Sequence, residues 1–147
     1  MEIRIKNVQL MMDFVPALQE LKTYKPNVRV GLGIIKTCNA CFDILKKFEN
    51  ARHQILEEES LKDEKGKSIV KDNQFQFRDD MHKKEVEAKI AILAEQEVTV
   101  DIWPIPLSEV ESIKEFKVEL LERLINNKFL LEEVPKVANK PILKSVK

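Results

Sequence analysis

The chain has 147 residues, in which 25 lysines and arginines balance 25 aspartates and glutamates. This length fits one domain, and a net charge near zero argues against a dedicated nucleic-acid binder, which needs excess cations to displace counterions from phosphate. Charged residues make up 34% of the chain and apolar residues 44%, with only three glycines, a composition that favours helix over an all-β fold.

Two sequence features bear on location. No run reaches the roughly 18 to 20 apolar residues of a membrane-spanning helix, and the opening residues MEIRIKNVQL lack the apolar core of a signal peptide. The two cysteines lie within one helical turn and cannot link distant parts of a fold, which excludes a secreted disulfide framework. We therefore expect a protein of the cytosol, or of the place to which its partners carry it, without membrane contact.

The first predicted element is a short strand over residues 2–6, where apolar and charged residues alternate. The next segment has helical spacing, but Pro16 cannot lie deep inside a helix because it lacks an N–H group. We predict a loose turn followed by a helix from Phe14, with Asp13 as N-cap and Pro16 in the first turn.

A long helix is predicted from a cap at Asn27 to about Leu61. One of its faces carries apolar residues in steps of four and three, interrupted by Arg52. Gly31 and Gly33 are expected to mark close packing or a frayed first turn. The apolar stripe consists of Ile34, Cys38, Cys41, Leu45, Phe48 and Ile55, and Ile35, Phe42 and Leu56 are expected to widen this core-facing side.

A polar loop or small hairpin is expected over residues 62–73, with a turn at Lys65-Gly66. Helical spacing resumes over residues 75–93, which predicts a returning helix and therefore a long antiparallel helical hairpin. The outgoing helix is longer by about ten residues, or roughly 15 Å. Residues 28–35 then need other cover, and we expect a homo-oligomer or a complex with another protein.

Residues 97–103 alternate again and are predicted to pair with the first strand, with Asp101 opposite Arg4 or Lys6. Ser108 and Glu111 form a capping-box pattern before a final amphipathic helix that ends near residues 126–127. The predicted fold is mainly α (α+β), with flanking helices around the hairpin and a small two-stranded sheet.

Residues 1–134 are expected to form the single helical-hairpin domain, and residues 135–147 a basic extended arm. The arm contains four lysines, no acidic residue and two prolines, which disfavour a continuous helix. We expect it to dock on a partner, with a frayed terminus as the alternative. The docking residues are predicted to be Lys136, Lys140, Ile142, Leu143 and Lys144.

Two pairs of residues invite a chemical interpretation. Cys38 and Cys41 form a C-x-x-C, but both lie in mid-helix on the apolar stripe, away from the helix N-terminus that a redox thiol needs, so we interpret them as core residues. His53 and His82 suggest a metal or acid–base pair across the hairpin, and surface or boundary histidines are the favoured alternative. We expect no enzyme activity, no cofactor and no metal.

Arg52 and Trp103 are the remaining candidate partner-binding residues. A cation on an apolar stripe is costly unless paired, so Arg52 is expected to meet Asp79 or Asp80 across the hairpin, or to contact another chain. Trp103 lies opposite the core-facing side of its strand, where it either anchors an interface or packs under the last helix.

The order of these parts resembles a known group of proteins. KPNVRVGLGIIKTCNACFDILKKFENAR, the charged K-D-E-K-G insertion, VTVDIWPIPLSEVE and the leucine-rich helix that follows resemble small uncharacterised proteins of tailed bacteriophages and prophages, to about Asn127. The resemblance implies a viral context and assigns no catalytic residue.

For function, we expect a non-enzymatic phage protein that acts by protein–protein contact as a virion structural or assembly component. Its partners would be other phage proteins or copies of itself, in the host cytoplasm or the virion. The alternative is a phage-encoded regulator or anti-defence protein that binds a host factor. An enzyme or an accessory of a nucleic-acid enzyme is a third class.

Overall fold

The fold is mainly α-helical with three small two-stranded sheets, as seen in a computed structural model that describes residues 1–132. The predicted fold class, including the long helical hairpin, is confirmed. In chain order the elements are β1 (Glu2–Lys6), α1 (Asn7–Gln9), a π-helical segment (Leu10–Phe14), α2 (Val15–Thr23), α3 (Val28–Glu59), β2 (Val70–Lys71), β3 (Gln74–Phe75), α4 (Asp80–Glu95), β4 (Glu97–Asp101), β5 (Ile105–Pro106), a 3-10 turn (Leu107–Glu109), α5 (Val118–Asn126) and β6 (Leu130–Leu131).

The helical hairpin consists of α3 and α4. The side chain of Asn27 caps α3 as predicted, accepting a hydrogen bond from the Val30 N–H group at 2.9 Å. Asp79 caps α4 in the same way, since its carboxylate accepts from the His82 N–H group at 2.7 Å. Among residues 1–132, no helix combines the length and the apolar character that a bilayer crossing requires.

A small β-hairpin lies between the two long helices. Its strands β2 and β3 pair antiparallel, and the turn between them is formed by Asp72 and Asn73, which have φ angles of 51° and 62°. Aspartate and asparagine tolerate this left-handed conformation better than other non-glycine residues, so they suit a tight hairpin turn. The turn predicted at Lys65-Gly66 is a separate, earlier one, in which Gly66 has a φ angle of 79°.

The strand pairing of β1 with β4 is confirmed, but the predicted ion pairs are wrong. Asp101 pairs with the N-terminal ammonium of Met1 at 3.0 Å, and Arg4 meets Glu97 at 2.9 Å. Lys6 instead reaches a carboxylate of α4. The register places the apolar residues of both strands on the core side, and this burial outweighs exposed charge pairing.

The N-terminal helix begins earlier than predicted. The chain turns helical directly after β1, and the Val15 N–H group donates to the carbonyl of Leu10, five residues back. This π-helical spacing lies just ahead of Pro16, which has no N–H group to offer. Asp13 is therefore not an N-cap, and lies inside the helical stretch.

The last helix is shorter than predicted. A 3-10 turn and further turns occupy the region of the expected capping box at Ser108 and Glu111, and α5 begins only at Val118. Glu115 has a φ angle of 62°, a conformation that a continuous right-handed helix cannot contain. Phe116 is held instead by stacking on the ring of Tyr24, with centroids 5.1 Å apart.

The core lies at one end of the hairpin, where α2, the first half of α3, α5 and the strands β1, β4, β5 and β6 meet. The second half of α3 is covered mainly by α4, and Val86 is the one residue of α4 that is buried. The largest fully buried side chains are Leu10, Phe14, Leu18, Leu21, Val30, Val86, Ile102, Leu120, Leu124, Phe129 and Leu130.

Candidate functional site

A second apolar face on α3 is a distinctive surface of residues 1–132. Its residues recur in steps of four, three, four and three, and they point away from the buried face because an α-helix has 3.6 residues per turn. We call this row the α3 seam: it consists of Val28, Leu32, Ile35, Asn39 and Phe42. Its four apolar members are exposed by 78%, 52%, 50% and 44% in chain order.

The seam corrects part of the sequence interpretation. Ile35 and Phe42 were expected to widen the core-facing side, and they lie on the opposite side of the helix. Residues 28–35 were expected to need cover from outside the hairpin, and this is true only of some of them. Val30 and Ile34 are buried by the chain itself, whereas their neighbours on the seam are exposed. Large apolar side chains in one contiguous row mark an interaction surface more often than isolated ones do.

Trp103 lies beside the seam and is 40% exposed, so the alternative of burial under the last helix is wrong. Its backbone N–H group donates to the Thr37 hydroxyl at 2.9 Å, and the Lys36 ammonium lies 5.7 Å from the centre of its ring. Gly33 allows this close approach, because a Cβ atom there would lie 3.1 Å from the Trp103 carbonyl oxygen.

The ring of Trp103 borders a groove of about 300 Å³ that joins the seam. Leu32 belongs to both, so the groove and the seam form one continuous surface. Aromatic anchors beside apolar side chains are the composition of protein interface centres. The other residues that line the groove are Met1, Arg29, Gly33, Lys36, Ile102, Pro104 and Ile105.

Charged side chains flank this surface along one edge of α3. Arg29 and Lys36 lie toward the helix start, and Asp43 follows after two further turns; all three are exposed. Within residues 1–132, neither Arg29 nor Asp43 forms an ion pair. The edge therefore offers cations at one end and an anion at the other to a partner.

Arg52 lies elsewhere, and its predicted pairing across the hairpin is wrong. Its guanidinium pairs with Glu49, one turn earlier on the same helix, and this hydrogen bond holds the pKa of the Glu49 carboxyl below its ordinary value. Asp79 caps α4 and lies 3.7 Å from Arg78. A carboxylate one turn away is already in reach, so Arg52 needs no partner from the other helix.

Arg52 borders a groove of about 480 Å³ near the tip of the hairpin. His53 lies there edge-on to Phe75, with ring centroids 5.4 Å apart, whereas the His82 Nε2 atom lies 3.4 Å from the Glu59 carboxylate. The two histidines have different partners, which agrees with boundary positions. Within residues 1–132, no three His, Cys, Asp or Glu side chains group as metal ligands.

Cys38 and Cys41 are core residues, as predicted. Both are free thiols on the buried face of α3, and their exposed fractions are 8% and 0%. Burial raises the pKa of the Cys41 thiol to about 12, and burial also raises the pKa of Cys38. A raised pKa disfavours the thiolate, which is the reactive form of cysteine.

The structure does not bring the predicted partner-binding residues together. Arg52 and the Thr37 position that holds Trp103 are fifteen residues apart on α3, roughly 22 Å. The predicted docking residues of the C-terminal arm lie outside the described residues. They are Lys136, Lys140, Ile142, Leu143 and Lys144.

Sequence reasoning missed the seam, although a signal was present. The spacing of Val28, Leu32, Ile35 and Phe42 is as regular as that of the buried stripe. In comparisons with protein-family models, with curated proteins and with solved structures, nothing matches the chain. The resemblance to phage and prophage proteins stays a prediction.

Proposed function

We propose that this protein acts by protein–protein contact, without catalysis of its own, and that the α3 seam and the adjoining Trp103 groove form the contact surface. The observation that carries the proposal is the row of four apolar side chains that remain 44% to 78% exposed along one helix face. Leaving such a row in water is unfavourable, and a partner that covers it gains the corresponding apolar burial.

The surroundings of the seam support this role. Trp103 offers a large ring: Thr37 holds its backbone N–H group, and the Lys36 ammonium lies over the ring. Interfaces commonly take much of their binding free energy from such aromatic anchors at their centre, while charges at the rim set orientation and association rate. Arg29 and Asp43 lie at that rim.

The more specific assignment is to a virion structural or assembly component in the host cytoplasm or the virion. It rests on the predicted resemblance of the sequence to phage and prophage proteins. A phage-encoded regulator or anti-defence protein that binds a host factor would use the same kind of surface. A structural protein is present in purified virions at a fixed copy number, whereas a regulator is missing from them.

Site-specific photocrosslinking in cells that express the chain tests the contact surface. A photoreactive amino acid replaces Ile35 on the seam in one variant and Val118 on α5 in the other; both side chains are exposed, by 50% and 66%. We expect a covalent protein adduct from the Ile35 position and little from the Val118 position. No adduct at Ile35, or equal adducts at both positions, contradicts the proposed surface.

A further inference from the structure

The α3 seam has the spacing of a coiled-coil interface. Steps of four and three residues place Val28, Ile35 and Phe42 at one heptad position and Leu32 and Asn39 at the other. The row covers two heptads, or roughly 21 Å of helix. A partner helix with the same repeat fits this row, and α3 of another copy carries that repeat.

The residues that follow the seam bear on the direction of packing. The same face of α3 continues with Lys46 and Glu49, and both are exposed. A parallel pair of helices would place each of these charges beside its own copy, which is repulsive. A parallel pair would also let Asn39 meet its copy, a known device of coiled coils, but the two like-charge pairs at Lys46 and Glu49 oppose that arrangement.

Antiparallel packing about an axis at Ile35 avoids this repulsion and matches the seam to itself. Val28, the smallest apolar member, comes opposite Phe42, the largest, and Ile35 meets its own copy. Only the apolar stretch then overlaps, because the charged second halves of the two helices point in opposite directions. A two-fold axis makes each such contact occur twice.

Two of the three charges at the rim fit the same arrangement, whereas the third, Lys36, comes beside its own copy near the axis. With the axis at Ile35, Arg29 of one chain comes opposite Asp43 of the other within one or two residues, and the reverse pair forms on the other side of the axis. Both side chains are exposed, and neither has an ion-pair partner within the described residues of its own chain. Complementary rim charges fix the register and the orientation of a contact.

We infer that the partner of the α3 seam is a second copy of this chain, packed antiparallel through α3 about a two-fold axis near Ile35. The inference rests on the proposed function of the same surface and names its partner. The helix is already held by the core on its other face, so association need not order it. The contact is short, and we expect a dissociation constant in the micromolar range.

Mixed crosslinking tests the direction of packing. Two single variants of the full chain, Val28→Cys and Phe42→Cys, carry tags of different mass and are mixed before a short bismaleimide is added. The native thiols Cys38 and Cys41 are buried and have raised pKa values, so the unsubstituted chain gives the background. We expect the mixed product to exceed both self-linked products by about tenfold.

Two outcomes overturn the inference. A dominant self-linked Val28→Cys product shows parallel packing. Products no greater than the background, together with a wild-type chain that sediments as a monomer, show that the chain does not pair with itself. In that second case, an adduct of the photoreactive Ile35 variant with a different protein leaves the proposed contact surface intact. The absence of any adduct contradicts both the self-contact and the proposed contact surface.

A charge exchange provides an independent test. Asp43→Arg places like charges opposite each other and should weaken dimerisation about tenfold, because two rim pairs become repulsive. Arg29→Asp in the same chain should restore the wild-type affinity. If the double variant is as weak as Asp43→Arg alone, Arg29 and Asp43 do not face each other and the inferred register is wrong.

Discussion

The guanidinium of Arg123 donates to the carboxylate of Asp13 at 2.8 Å, across 110 residues of chain. It also donates to the Asp13 backbone carbonyl at 3.0 Å, and the Asn127 side-chain amide occupies the second carboxylate oxygen at 2.8 Å. Both oxygens of Asp13 are therefore satisfied by α5 and the residue that follows it. This cluster fastens the C-terminal helix to the π-helical segment.

Replacing Asp13 by alanine should lower the free energy of unfolding by about 1–3 kcal/mol, because charged hydrogen bonds are lost and the partly buried guanidinium keeps only the longer contact with the Glu20 carboxylate, at 3.6 Å. Urea denaturation followed by circular dichroism measures the change. Glu97→Gln is the matched control, since its ion pair with Arg4 is exposed and should contribute less than about 1 kcal/mol. If Asp13→Ala lowers the free energy of unfolding by no more than Glu97→Gln does, the cluster does not hold α5 against the π-helical segment.

Local signals in the sequence were sufficient to predict β1, the start of α3 and the helical hairpin. An asparagine cap, an alternating strand and helical spacing each depend on neighbours in the chain. The π-helical segment could not be predicted in this way, because Pro16 suggests a break and only the surrounding core favours continued helix. The conformation of the residues before α5 was not predicted for a similar reason: Phe116 stacks on Tyr24, which is far away in sequence.

The glycines of α3 provide a second test of the packing. A Cβ atom at Gly33 would lie 2.8 Å from the Ile105 Cδ1 atom and 3.1 Å from the Trp103 carbonyl oxygen, whereas one at Gly31 meets nothing within 4 Å. Gly33→Ala should destabilise the fold by about 1–3 kcal/mol through overpacking. Gly31→Ala should stabilise it by up to about 1 kcal/mol through helix propensity.

Thermal and chemical unfolding of the two glycine variants give the comparison directly. Equal effects would mean that the segment after β4 does not lie against Gly33. A red shift of the Trp103 fluorescence in Gly33→Ala but not in Gly31→Ala would confirm that the added methyl group displaces that segment.

The Cys41 thiol should make stability fall at alkaline pH. Its pKa is raised from 9.0 to about 12 in the folded chain, so above pH 9 the unfolded chain loses this proton while the folded chain keeps it. The unfolded state then binds fewer protons, and the free energy of unfolding decreases as pH rises from about 9 to about 12. At pH 10 the loss from this one group is on the order of 1 kcal/mol.

The Cys41→Ala variant isolates this contribution. Its free energy of unfolding should be lower at pH 8 because of the small cavity, but it should fall less between pH 8 and pH 10 than that of the wild type. Thiol-specific reagents should label the native chain slowly at pH 8 and the denatured chain fully. Rapid labelling of native Cys41 or identical pH profiles of the two proteins would contradict the buried position.

The candidate surface was less predictable than the fold. α3 carries two apolar faces, and spacing alone does not show which one the rest of the chain covers. Cys38 and Cys41 were correctly assigned to the core, because they lie between Ile34 and Leu45 on one stripe. Ile35 and Phe42 were assigned to the same side because they are apolar, although their positions turn them toward solvent.

Sedimentation equilibrium of the full chain tests most directly whether the α3 seam is a contact surface between copies of this protein. The wild type and Val118→Glu, a control on an exposed site of α5, should be dimers above micromolar concentrations, whereas Ile35→Glu should be a monomer with unchanged circular dichroism. A wild-type chain that remains a monomer at a hundred times that concentration, or a dimer that Ile35→Glu leaves intact, would contradict the self-contact through α3.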